Sequence, residues 1–131
     1  MAESLTNAMT AKVKGLVPMA FAADVPRSID FYKLLGMEVR HSLRDPKGEI
    51  KWVFLACDRA ELMLAIASDP VIASQQAVLF YLYTSDLVAL REHLLASRVK
   101  VSPITYPDHM PKGEARVYDP DGYCLLIGQP E

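Results

Sequence analysis

Short apolar runs separated by turn residues dominate the chain, and in two stretches the apolar spacing widens to the helical step of three to four residues. Residues 15–23 read as a first strand, in which Pro18 favours an edge or a strand start. Asp24 can accept a backbone N–H at a helix start, and Pro26 suits the first turn. Residues 28–35 then predict a helix whose apolar stripe holds Ile29, Phe31, Tyr32, Leu34 and Leu35, closed by Gly36. Strands follow over 37–44, 51–57 and 61–67. Asp45-Pro46-Lys47-Gly48 has turn chemistry at each position, and Asp58-Arg59 makes a two-residue hairpin link without the favoured Asn-Gly. Residues 68–76 are polar and form a connection. Beyond it lie a strand over 77–83, a helix over 87–97 capped by Asp86, a strand over 100–105 and a loop over 106–113. A strand over 114–118, the turn Asp119-Pro120-Asp121-Gly122 and a last strand over 123–127 complete the pattern.

The order repeats. Asp24 and Asp86 both follow an apolar strand and open a helix, and they stand 62 positions apart. The offset that carries Asp24 to Gly36 and Met37 carries Asp86 to Arg98 and Val99. Each half therefore reads strand, helix, three strands, with one module over about 13–68 and a second over about 77–129. This predicts one α+β domain over residues 13–131. The opening residues 1–12 are small and polar, without the basic start and apolar stretch of a secretory leader, which predicts a loose tail on a cytoplasmic protein.

Composition narrows the functions. With 14 Lys+Arg against 16 Asp+Glu the net charge is −2, so no basic stripe is on offer to nucleic acid. No apolar run approaches a membrane helix, so no membrane partner is expected. Cys57 and Cys124 have no metal-like or redox-like spacing and read as free thiols.

The stretch Asp24-Val25-Pro26-Arg27-Ser28-Ile29-Asp30-Phe31-Tyr32-Lys33-Leu34-Leu35-Gly36-Met37, taken with Asp119-Pro120-Asp121-Gly122-Tyr123, resembles the vicinal oxygen chelate superfamily. That superfamily includes glyoxalase I, bleomycin-resistance proteins, fosfomycin-resistance enzymes and extradiol dioxygenases. The resemblance spans about residues 15–129 and implies two paired βαβββ modules. Their open, curled mixed sheet would surround a cleft, often completed by a second chain. It also implies structural work for the motif itself: Phe31 and Tyr32 packing the helix on the sheet, Gly36 left-handed, Asp119 and Gly122 in a turn.

Metal-dependent members place His, Gln or Glu on the first strand of each module and Glu on the last strand. The corresponding places here are Val17, Leu79 and Leu126, with Met63 or Leu62 on the fourth strand. All are apolar, and a register shift of one residue brings no donor to Val17, Leu79, Leu126 or Met63. Hard and borderline ions need nitrogen and oxygen donors, so no metal and no cofactor is expected. A shifted site would have to draw on Glu61, His109 or Glu114.

The resemblance without the ligands predicts a small-molecule-binding protein of the resistance or sequestration type, acting as a homodimer on a small organic molecule. The alternative is a metal-dependent lyase, isomerase or dioxygenase with a displaced site. Candidate cleft residues are Trp52, Phe54, Met63, Tyr81, Tyr83, Tyr106, His109 and Glu114. Alternation puts Trp52 with Phe54, and Tyr81 with Tyr83, on shared faces, and leaves open which face lines the cleft. The stretch from Tyr106 to Arg116 is the most chemically mixed segment, with His109 a candidate general acid or base.

Overall fold

The structure is a computed structural model and describes residues 11–131. The tail expected over residues 1–12 lies outside the described residues apart from Ala11 and Lys12. The elements are β1 (Met19–Ala22), α1 (Val25–Leu34), β2 (Glu38–Arg44), β3 (Ile50–Cys57), β4 (Ala60–Ile66), a short 3₁₀ turn (Ala73–Gln75), β5 (Leu79–Tyr83), α2 (Leu87–Ala96), β6 (Glu114–Tyr118) and β7 (Cys124–Gly128). They build an α+β fold of two open mixed sheets, ordered β1-β4-β3-β2 and β5-β7-β6.

The two halves repeat down to single hydrogen bonds. The Asp24 carboxylate accepts from the Arg27 N–H at 3.2 Å, and Asp86 accepts from the Ala89 N–H at 3.0 Å. Each caps the orphan donors of a first helical turn. At the far ends, the Met37 N–H donates to the Tyr32 carbonyl at 3.1 Å and the Val99 N–H to the Leu94 carbonyl at 3.0 Å. This wrap requires a left-handed residue just past each helix. Gly36 supplies it in the first half at φ +89°, and Arg98 stands in the same place in the second at φ +66°.

Each sheet has a covered and an open face. Val53, Leu55, Leu62 and Leu64 point to the helix side of the first sheet, and Ala115, Val117, Leu125 and Ile127 to that of the second. All are buried in one continuous core with Val25, Ile29, Tyr32, Leu87 and Leu94. Burying each large aliphatic side chain is worth about 1.5–3 kcal/mol, so this core is the main support of both open faces.

The expected strand over 100–105 is not formed. The segment meets β6 through two isolated bridges, Val101 with Val117 and Thr105 with Glu114, and the Ser102 hydroxyl accepts from the Arg116 N–H at 2.7 Å. Pro103, between the two bridges, has no N–H to give. Its position still mirrors β2, at the outer edge next to the third-placed strand. The first strand is also shorter than the apolar run suggested, beginning at Met19 just after Pro18.

The two sequence motifs meet in space. The Tyr32 hydroxyl donates to Asp119 Oδ2 at 2.8 Å, and the Ser28 hydroxyl to Asp121 Oδ2 at 3.2 Å. Asp121 Oδ1 accepts from the Ala23 N–H at 3.0 Å. Asp119 Oδ1 takes the N–H groups of Asp121 and Tyr123, each at 2.9 Å. The β6–β7 turn is thus clipped to α1. Burial raises the Asp119 carboxyl above its usual range, against the pull of the donors around it, and burial with the neighbouring Asp119 raises the Tyr32 phenol.

Candidate functional site

Strand register settles which side chains share the open faces. In the first sheet, Phe54 pairs with Met63 on β4 and with His41 on β2, and Trp52 pairs with Ala65 and Leu43. Met63 in turn lies beside Met19. Because Val53 and Leu55 face the helix, this row of Trp52, Phe54, Met63, His41 and Leu43 faces away from it. The His41 ring meets Phe54 edge-on with centroids 6.4 Å apart. Leu43 is 61% exposed and Phe21, on β1, 52%. The open face is therefore largely apolar and uncovered.

In the second sheet, Phe80 and Leu82 pack on the core, so Tyr81 and Tyr83 turn to the open face. Register aligns Tyr81 with Leu126 and Arg116, and Tyr83 with Gly128 and Glu114. The Tyr81 hydroxyl donates to Glu114 Oε2. His109 Nε2 lies 2.9 Å from the same oxygen. The rings of Tyr81 and Tyr83 are 5.3 Å apart, and Tyr81 meets His109 edge-on at 6.2 Å. Four of the eight candidates thus form one cluster: Tyr81, Tyr83, His109 and Glu114.

The cluster has a defined electrostatic character. The Tyr81 hydroxyl bond, with help from His109 and Arg116, holds the Glu114 carboxyl below its usual range against the effect of partial burial. Partial burial and the bond to Glu114 push the Tyr81 phenol up to about 12. At neutral pH the cluster therefore holds a carboxylate and a neutral phenol that donates to it.

Sequence reasoning missed the residue that seats His109. Met110 is buried, and its thioether lies over Gly128 where a Cβ would come within 2.9–3.0 Å of it. A lone methionine in a loop carries no periodicity that would mark it as core. Tyr106 stands apart from the cluster, 68% exposed, with its ring near Gly113. Trp52, Phe54 and Met63 lie together on the other sheet.

The family metal positions do not suit a divalent ion. Met63, Leu79 and Leu126 present hydrocarbon or thioether to the open faces, Leu62 is buried toward α1, and Val17 lies ahead of β1. Glu61 lies on β4, away from the second-sheet strand that carries Glu114. Among the described residues no three His, Cys, Asp or Glu side chains gather in a possible metal cluster. Among the described residues, no helix is long and apolar enough to cross a membrane.

Two surface hollows lie elsewhere. One of about 500 Å³ lies beside the start of α1 and the β2–β3 turn, lined among others by Asp24, Arg44 and Glu49. One of about 290 Å³ lies between Phe21, Tyr123 and the connection around Asp69. No candidate residue lines either hollow. The candidates on strands, Trp52, Phe54, Met63, Tyr81, Tyr83 and Glu114, lie instead on the open faces.

Residues 16–127 match the family model described as Glyoxalase/Bleomycin resistance protein/Dioxygenase superfamily. Among curated proteins no sequence matches. Solved structures do. A bleomycin-binding protein complexed with bleomycin is 17% identical, with a TM-score of 0.70, covering 91% of this chain and 100% of that one. The protein SMU.1112c is 27% identical, with a TM-score of 0.71, covering 89% and 99%. TnmS3, an antibiotic binding protein from Streptomyces sp. CB03234, is 20% identical, with a TM-score of 0.70, covering 91% and 98%.

Proposed function

The chain belongs to the Glyoxalase/Bleomycin resistance protein/Dioxygenase superfamily, and from that premise we propose that it binds a small organic molecule without a metal ion, in a cleft completed by a second copy of the chain. One observation carries the reading. The open faces bear Trp52, Phe54 and Met63 on one sheet and Tyr81 and Tyr83 on the other, and hydrocarbon or thioether side chains stand where the resemblance puts the donors of metal-dependent members. Such faces suit flat, largely apolar ligands, and the tyrosine hydroxyls and Glu114 supply a few directional contacts. Similar structures named for binding bleomycin or an antibiotic support this class of ligand, and at their identities they share the fold alone. A second copy supplies the missing wall: Met19, Phe21, Leu43 and Tyr83 are each more than half exposed, which is a large apolar surface for a protein of this size.

The test is a thermal-shift screen of flat organic compounds on protein purified without chelator, run with and without EDTA. Selective stabilisation that EDTA leaves unchanged is the expected result, because a ligand binding only the folded state raises its melting temperature. A stoichiometric divalent ion that stabilises the protein, with no stabilisation by organic compounds, would overturn it in favour of a metal-dependent enzyme. Light scattering at micromolar concentration is expected to return the mass of a dimer, and a monomer would remove the second copy.

A further inference from the structure

On β6, Glu114 and Arg116 alternate on the open face, each in line with a tyrosine two strands away. Glu114 has committed only one oxygen. Oε2 accepts from Tyr81 and meets His109, while Oε1 has no protein partner among the described residues. Arg116 is exposed, and its guanidinium enters no ion pair or hydrogen bond among the described residues. The two charges are thus too far apart to pair, and close enough that Arg116 helps hold the Glu114 carboxyl down. Alternate residues of a strand stand roughly 6.5–7 Å apart. Beside them, half-buried Leu126 lies in register with Tyr81, whose ring stands 5.3 Å from that of Tyr83 and meets His109 edge-on at 6.2 Å.

We propose that this face takes an aromatic zwitterion: a compound with an ammonium and a carboxylate on one carbon beside a flat ring. The ammonium lies on Glu114 Oε1, the carboxylate is held by the planar fork of Arg116, and the ring rests on Tyr81 and Leu126. The arrangement fits because a group of alternating charge fills the gap that Glu114 and Arg116 leave between themselves, and because Arg binds carboxylates in a bidentate way. A solely cationic ligand would meet Arg116 as a like charge, and a solely anionic one would meet Glu114. The proposal rests on the small-molecule reading above and names the ligand class for it.

Four indole probes test it by calorimetry at pH 7 on the full chain: tryptophan, tryptamine, indole-3-propionate and indole. Tryptophan is expected to bind about tenfold more tightly than either singly charged probe, which corresponds to one charge-assisted contact in a partly exposed site. Glu114→Gln is expected to reduce tryptophan to the level of indole-3-propionate, and Arg116→Met to that of tryptamine. Circular dichroism checks that both variants fold. If all four bind like indole, the zwitterion subsite is overturned and the broader reading stands. If none of the four binds, the subsite is overturned whatever the ligand screen returns.

Discussion

Replacing Tyr32 by Phe removes one oxygen from the clip that joins α1 to the β6–β7 turn. Tyr32 and Asp119 are 1% and 5% exposed, so water cannot take the place of the lost hydroxyl. Asp119 Oδ1 keeps its two backbone donors, and Oδ2 is left with none. A hydrogen bond to a charged group contributes about 1.5–3 kcal/mol, so Tyr32→Phe should cost about 2 kcal/mol at neutral pH. The ring itself stays, so no cavity adds to this. The pH dependence follows from the same contact. The Tyr32 hydroxyl pulls the Asp119 carboxyl down, against the burial that raises it. Without it the carboxyl rises further in the folded variant, whose protonated form is then relatively cheaper to bury. Asp119 with a raised folded value contributes most below its unfolded value and loses that contribution as pH rises. The deficit of the variant against the parent should therefore shrink as pH falls toward the carboxylate range. Urea unfolding followed by tryptophan fluorescence through Trp52, at a series of pH values, reads both quantities. A deficit under about 0.5 kcal/mol at neutral pH, or one that grows on acidification, would refute this account.

Three further outcomes follow from the geometry. Arg98→Gly should stabilise the protein by about 0.5–1 kcal/mol: it relieves about 1–2 kcal/mol of left-handed strain and gives back part through the freer unfolded chain. Thermal unfolding should show a rise of a few degrees, and no rise would mean the φ of +66° carries no strain. Gly128→Ala should destabilise by about 1–3 kcal/mol through overpacking, because its Cβ would meet Met110 at 2.9–3.0 Å. Amide exchange in residues 106–113 should rise with it, and an unchanged loop would refute the Met110 seat. Tyr81→Phe should move the Glu114 titration up toward the ordinary carboxylate range, because the hydroxyl bond is the largest influence holding it down. The contribution of Glu114, present above the unfolded value of 4.5 and lost as pH falls through the folded one, should shrink accordingly. Carboxyl NMR titration reads this directly.

Local chemistry made most of the fold legible. Asp24, Asp86 and Gly36 announce helix ends because capping is decided within a few residues. Strand faces follow from alternation, which put Tyr81 with Tyr83 on one side of their strand before any side was assigned to the cleft. What sequence left out is decided at a distance. Arg98 takes the glycine conformation because the Leu94–Val99 wrap imposes it, not because arginine prefers it. The segment over 100–105 has strand composition, yet it lies at a sheet edge with Pro103 between its two bridges. Met110 is core because Gly128 leaves it room from across the fold. The face question stayed open because periodicity separates the two sides of a strand without saying which side the helix covers.

The division of strands has a kinetic consequence. The first sheet uses only residues 19–66 and the second only residues 79–128, so pairing in each is encoded within its own half. Local pairings close quickly, and long-range ones late. During synthesis the first sheet can assemble while the second half is still being made, but Ser28 and Tyr32 wait without partners until Asp119 and Asp121 arrive. The last turn of the chain to form is the one that locks the first helix in place.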